Sequence, residues 1–445
     1  MMRSGHKNVL GLPLLALLVG TAISVAAAPD SHVPFGLARA TGLRASAPGV
    51  ARATPPLTRM TAAGTVALPV GDPAMAVAAG HGYSLTLTRG GRVYAWGAND
   101  VGQLGTACGS RVRCVTPLLV EGLPAGDPVT AIAAGYQHSL AATRSGRVYA
   151  WGDNTSGQLG NGSAQGSRTP VMVAGLPGND LMVAVAAGYV HSVALTRSGH
   201  VFAWGGNRFG QAGQDGAAVI PLPTAVPGLP TSDPVVAVAA GAAHTLVLTR
   251  AGRVYAWGDQ GTGQLGVITN GARGMPVAVS DLPPGNRVSA LAAGSIDGLA
   301  ALRDGNVYGW GDNGFGQLGR LGVGYFSSVP VMVEGLPRAD RVIAVAAGDY
   351  FSLALTGSGH IYAWGQNNDG QLGAGDNLDA GTAVAVLGQL FGAHVVAVAA
   401  GGAHSLAVTA GGRVYAWGQN DDGQLGDGTI RSRNVPLQVG RAPNL

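Results

Sequence analysis

All seven tryptophans of this chain sit in one recurring phrase, VYAWG or a near variant, followed by a loop that ends in GQLG or GQAG. The phrase places Trp96, Trp151, Trp204, Trp257, Trp310, Trp364 and Trp417 at spacings of 55, 53, 53, 53, 54 and 53 residues. A residue type confined to one phase of a fixed period marks a repeat. A period near 50 belongs to a propeller, a solenoid or an array.

Each unit reads as four short strands. In the second they are "TPLLV" (116–120), "VTAIAAG" (129–135), "HSLAATR" (138–144) and "RVYAWG" (147–152). Branched and aromatic residues fill the runs; Gly, Pro, Asn and Asp punctuate them. No segment sustains a 3.6-residue period, so helix is nearly absent. The chain has 74 glycines in 445 residues. They fall at fixed phases, which suits turns of positive φ and close backbone approach rather than disorder. One such sheet cannot bury both faces, whereas seven packed radially can. The sequence therefore predicts an all-β, seven-bladed β-propeller of four-stranded blades over 64–440, with the seven tryptophans packed between blades. Eight segments compete for seven "PxxV" strands, residues 65–68 and 435–439 contending for one slot. The ring is accordingly expected to close through a blade shared by the N- and C-terminal strands.

Arg3 and Lys7, the apolar stretch 10–25 and the small residues of "SVAAAPD" read as a signal peptide over 1–27. An uncleaved anchor is the alternative reading. Residues 28–63, rich in Ala, Pro, Arg, Ser and Thr, read as a flexible linker, and 441–445 as a tail. Without 1–27 the net charge falls from +4 to +2, too small to call for a nucleic-acid partner. The two cysteines, Cys108 and Cys114, lie six residues apart in the longest connection and are expected to form a disulfide. These features together predict an exported protein, periplasmic, secreted or at the cell surface. It is expected to be monomeric and to touch no membrane apart from export.

The pattern VAAGxxHSLALTxxGxVYAWGxNxxGQLG resembles the regulator of chromosome condensation repeat family, from about Thr65 to Val439. The resemblance implies a seven-bladed propeller, in agreement with the repeat count. Blade five departs from it, with Asp297 for the usual His and Arg303 for the usual Thr; blade three has GQAG at 210–213. Those two blades are expected to be the least regular. The family's eukaryotic founder is a guanine nucleotide exchange factor that docks on nucleosomes, which needs an inserted wedge. Uniform spacings leave no room for one. An exported bacterial-type branch, similar to proteins that inhibit β-lactamases, implies a protein-binding face instead.

No arrangement of catalytic groups emerges, and no cofactor or metal is expected. His138, His191, His244 and His404 recur at one phase, with Tyr83, Asp297 and Phe351 in the other blades. They are read as structural, each bonding within its own blade, because a metal needs several converging ligands. The serines that follow point to the opposite face of the strand, poor geometry for a nucleophile and its base.

Strand alternation sorts the loops onto two rims. The first rim carries the AAGxxH loops and the loops after WG. It collects His81, Tyr83, Tyr136, Gln137, Tyr189, Phe209, Phe315, Asp349, Tyr350 and Phe351 as a candidate binding face. The second rim carries Arg89, Arg92, Arg144, Arg147, Arg197, Arg250, Arg253, Arg303 and Arg413. Asp72, Asp127, Asp180, Asp233 and Asp340 come from turns on that rim and are expected to pair with these arginines. The functional expectation is a non-enzymatic scaffold that binds a protein through the first rim. Two alternatives stand beside it: an exchange-factor-like regulator of a small GTPase, and a binder of an anionic or cell-wall polymer through the arginine rim.

Overall fold

The computed structural model describes residues 68–69, 71–108, 112–269, 271–388, 390 and 393–440. The expected signal peptide (1–27), linker (28–63) and C-terminal tail (441–445) lie outside the described residues. Among the described residues twenty-eight strands form seven four-stranded antiparallel sheets, each an up-and-down meander. The blades span 74–119, 129–172, 182–225, 235–278, 288–332, 342–385 and 395–438.

Burial peaks at the second strand and falls away toward the outermost, and the sequence of each strand follows it. In blade two the innermost strand, Val129–Ala134, offers mainly alanine to the crowded axis. The second, His138–Thr143, is buried at every position. The third, Val148–Gly152, carries Trp151 into the joint. The outermost, Ser167–Met172, has no fully buried residue. The third strand ends on Gly152, at φ +104°, where a Cβ would collide with the Gln137 carbonyl. That glycine lets the chain turn out into the long loop beside the AAGxxH corner.

Two expectations need correction. The strand 116–120 does not begin the second unit: it is the outer edge of the first, pairing Leu119 with Tyr94. The hydrophobic run fixes a strand but not which neighbour it joins. Nor does a mixed blade form among the described residues, because Arg433–Gln438 completes a seventh blade made of one continuous segment. Blades seven and one meet side by side instead. Ser84 bonds His404 at 2.9 Å, Trp96 Nε1 donates to the Gln424 carbonyl at 2.8 Å, and Val439 packs beside Trp96. Residues 65–67 lie outside the described part; Leu68 packs against this same joint.

The tryptophans behave as predicted. All seven are fully buried, and each Nε1 donates to the carbonyl of the Gln in the preceding blade's GQ loop at 2.8–3.0 Å. Blade three keeps this contact despite its GQAG loop: Trp257 reaches the Gln211 carbonyl, and Ala212 fills the place of the leucine. Nor is the sheet of blade five irregular: its strands pair with the same register and the same bulge positions as its neighbours', so the expected irregularity appears in neither sheet.

Candidate functional site: the first rim and the axial mouth

The residue after each AAG faces the axis. In blade order these are His81, Tyr136, Tyr189, Ala242, Ser295, Asp349 and Gly402. Backbone hydrogen bonds run from blade to blade around them, including Tyr136 N–H to the Gly188 carbonyl, Ala242 N–H to Ser295, and Gly402 N–H to Gly80. The side chains above this ring are unequal. Tyr136 stacks on Tyr189 at 4.1 Å, and His81 tilts onto Tyr136 at 4.6 Å. Because Gly402 has no side chain, His81 passes over it to stand 3.8 Å from Asp349. Burial lowers the pKa of His81 and so disfavours its charged form. Gln137 continues the wall outward by donating to Asp100 at 3.2 Å. On the opposite side Tyr350 meets Phe315 at 5.1 Å. Phe209 and Phe315 are exposed on the loops after WG.

Two of the predicted face residues are elsewhere. Tyr83 and Phe351 are fully buried, at the phase occupied by His138, His191, His244 and His404. That phase is the joint between blades. Each ring folds back beneath its own AAG corner, which must be glycine: at Gly135 a Cβ would stand 2.5 Å from His138 Cε1. The tip then reaches the next blade, not its own. His138 Nε2 bonds Ser192, His191 bonds Thr245, and the Tyr83 hydroxyl lies 3.0 Å from Ser139. A buried His–Ser pair suggests a nucleophile and its base, but the proton placement excludes it. The Ser192 hydroxyl donates to the Gln158 carbonyl at 2.7 Å, so the histidine must donate to the serine and cannot take its proton.

Three consecutive joints lack this bond. Gly298 supplies no hydroxyl to His244, Phe351 has no polar tip, and Asp297 is too short to reach the next blade. Asp297 is completely buried, and neither carboxyl oxygen has a hydrogen-bond partner. Burial above all, then the nearby Asp312 and Asp349, push its pKa well up.

On the second rim the aspartates do more than pair with arginine. Asp72 accepts from the Thr88 hydroxyl at 2.6 Å and from Gly90 N–H at 2.6 Å, stapling its own turn to the hairpin. Asp127, Asp180, Asp233 and Asp340 repeat the bond to the hairpin backbone. Burial opposes ionisation of Asp180 and Asp340, but hydrogen bonds led by Ser198 and Ser358 outweigh it and hold both at about 2. Arginine pairing holds at Arg92–Asp72 (2.9 Å) and Arg253–Asp233 (3.0 Å). In two hairpins a histidine takes the arginine's place, His200 with Asp180 and His360 with Asp340. Arg89, Arg144, Arg147, Arg197, Arg250, Arg303 and Arg413 are exposed. Cys108 and Cys114 form the expected disulfide, with Cα atoms 5.6 Å apart.

Sequence reasoning missed the outer edge of the first rim. Leu321, Tyr325 and Phe326, in the blade-five loop, are 70%, 83% and 56% exposed. The signal was present as "RLGVGYF", an apolar variant of a loop that is otherwise polar. Among the described residues no group of three or more His, Cys, Asp or Glu is placed to hold a metal.

A model described as the RCC1-like domain matches residues 169–444, and models of the regulator of chromosome condensation (RCC1) repeat match 76–103, 90–142 and 129–158. The chain is 36% identical over 360 residues to the human E3 ubiquitin-protein ligase HERC2, covering 80% of this chain but only 7% of the ligase. It is 33% identical over 310 residues to the ultraviolet-B receptor UVR8 of Arabidopsis thaliana, covering 69% of each. Yeast RCC1 (Prp20) bound to Kap60 superimposes with a TM-score of 0.69 at 25% identity, over 88% of this chain and 91% of that one. Prp20p from Saccharomyces cerevisiae, described with its binding to Gsp1p and histones, gives 0.67 at 25%, over 84% and 90%. These matches overturn the expectation of an exported, bacterial-type member, secreted or periplasmic. The relatives named are eukaryotic proteins, and none of them is described as secreted or periplasmic.

Proposed function

The chain belongs to the regulator of chromosome condensation (RCC1) repeat family, and on that premise we propose that it is a partner-binding propeller that regulates a small GTPase. It acts by binding rather than by catalysis. The carrying observation is the likeness to yeast RCC1 over more than four fifths of the chain, that protein being described with Kap60, Gsp1p and histones. The first rim is the proposed contact face. Its support is the stack of His81, Tyr136 and Tyr189, at a phase where Ala242 and Gly402 serve in other blades. The test is release of a fluorescent GDP analogue from a Gsp1p-type GTPase, with the full chain added in catalytic amounts. Faster release is expected, and slower release in the Tyr136→Ala/Tyr189→Ala variant than in the parent. No acceleration and no complex would overturn the reading. A second reading, a scaffold that binds without promoting exchange, is favoured by the uniform 53–55 residue spacing, which leaves no inserted wedge. Complex formation without faster release would select it.

A further inference from the structure

The first rim is asymmetric, and blades five and six differ from the rest in three independent ways. Beneath the mouth lies the buried, unpartnered carboxyl of Asp297, packed against Gly294 of the corner loop and facing Asp312 and Asp349. Beside it, Tyr350 and Phe315 form an aromatic step at 5.1 Å. Burial and the same two carboxylates, Asp349 and Asp312, raise the Tyr350 pKa, which places its hydroxyl in their field.

The track continues outward without a gap. Asp312 pairs in register with Phe326, and Asn313 N–H donates to the Tyr325 carbonyl at 2.8 Å. Leu321 lies over Gly381 of blade six, next to a loop that carries Leu378, itself 73% exposed. Tyr325 and Phe326 add little to any core at 83% and 56% exposure. The order along the radius is therefore Asp349 at the axial corner, the aromatic step and Asp312 on the third strand, and an apolar edge. Negative charge gathered around a buried carboxyl disfavours phosphate-bearing ligands, nucleic acid and anionic lipid alike. It favours an ammonium or guanidinium group, which also gains from the faces of the Tyr350 and Phe315 rings.

We infer that this sector is a docking track for an extended segment of a partner protein, one carrying an arginine or lysine and, farther along, apolar side chains. The cation enters between Asp349 and Asp312, and the apolar residues lie on Phe326, Tyr325 and Leu321. Four strands at about 4.8 Å spacing put the outermost strand about 14 Å from the innermost, the span of about four extended residues. Because Asp312 stands beside Phe326, the basic and apolar anchors are at most about four residues apart. The inference rests on the first rim being the partner-binding face.

The test selects short random peptides, displayed on phage, on the immobilised full chain. Enriched peptides are then titrated by fluorescence anisotropy. Enriched sequences should carry Arg or Lys within about four residues of a Leu, Phe or Tyr, and their affinity should weaken as salt is added. Affinity should fall at least tenfold in Asp312→Asn/Asp349→Asn, and at least tenfold in Tyr325→Ser/Phe326→Ser. It should be unchanged in Arg253→Ala on the other rim. Tyr325 and Phe326 are exposed, so that variant keeps its melting temperature and reads the track even if the acid variant folds poorly. No enrichment, peptides without a basic residue, or full affinity in Tyr325→Ser/Phe326→Ser would each overturn the inference. Such a failure leaves the GTPase reading intact, because that is judged on nucleotide release; failure of nucleotide release leaves the peptide affinities to stand on their own.

Discussion

His138 Nε2 lies 2.9 Å from the Ser192 hydroxyl, and this bond fastens the second blade to the third. The Ser192 hydroxyl donates its hydrogen bond to the Gln158 carbonyl, so the histidine holds the joint as a neutral donor. The arrangement recurs at His191–Thr245 and His404–Ser84. Burial lowers His138 to about 4, and His191 and His404 to about 3.

Acid should therefore loosen the ring in two stages. The buried histidines have folded pKa values below their unfolded value of about 6.5, so their contribution is complete above pH 6.5 and is lost as pH falls toward 4 and 3. Each histidine adds up to about 1.4 kcal/mol per pH unit in that window. Asp180 and Asp340, at about 2 when folded, lose their contribution below pH 4. Melting temperatures between pH 7.5 and 3 should show a decline that starts near pH 6. A flat profile down to pH 4.5 would contradict the neutral-donor joint.

Asp297 has the opposite sign. Its folded pKa is raised, so its contribution is present below about pH 4 and is lost as pH rises through the folded value. Replacing it should stabilise the protein at neutral pH. Asp297→His, which restores the residue used by four other blades and can reach Ser352, should gain about 1–3 kcal/mol at pH 7.5 and less at pH 4. Chemical denaturation at the two pH values measures the difference. A destabilised variant at pH 7.5 would mean that the carboxyl is satisfied in solution.

Among the described residues blades seven and one meet through side-by-side contacts, without a shared blade. Val439 is buried beside Trp96, and Arg433–Gln438 edges the seventh sheet. Deleting 427–445 should remove more than the roughly 1.5–3 kcal/mol of one fully buried valine, and should lower the melting temperature clearly. A truncated chain that melts with the parent would show that blades seven and one hold each other without this strand.

The Cys108–Cys114 bridge closes a short loop, so its stabilisation is at the low end, about 2 kcal/mol or less. Cys108→Ser/Cys114→Ser should keep the fold and the tryptophan fluorescence while lowering the melting temperature by a few degrees. Mass spectrometry of unreduced peptides should recover the linked pair from the parent. Two free thiols there would refute the bridge.

The sequence by itself determined the blade. Trp96 and its six counterparts, recurring near 53 residues, dictated seven equal units, because a strand and its turn are written in adjacent residues. The same text also gave the two rims, since strand direction alternates, and the pairing of the two cysteines. Three matters were left to the tertiary structure. The blade boundary moved, placing 116–120 on the first sheet, because a hydrophobic run has two possible neighbours. The partner of each histidine proved to be a hydroxyl on the next blade, 54 residues on from His138, because radial packing rather than chain adjacency brings the two together. The face residues divided the same way. Tyr83 and Phe351 went into the joint while Tyr325 and Phe326 stayed exposed, because burial depends on distance from an axis that only the closed ring defines.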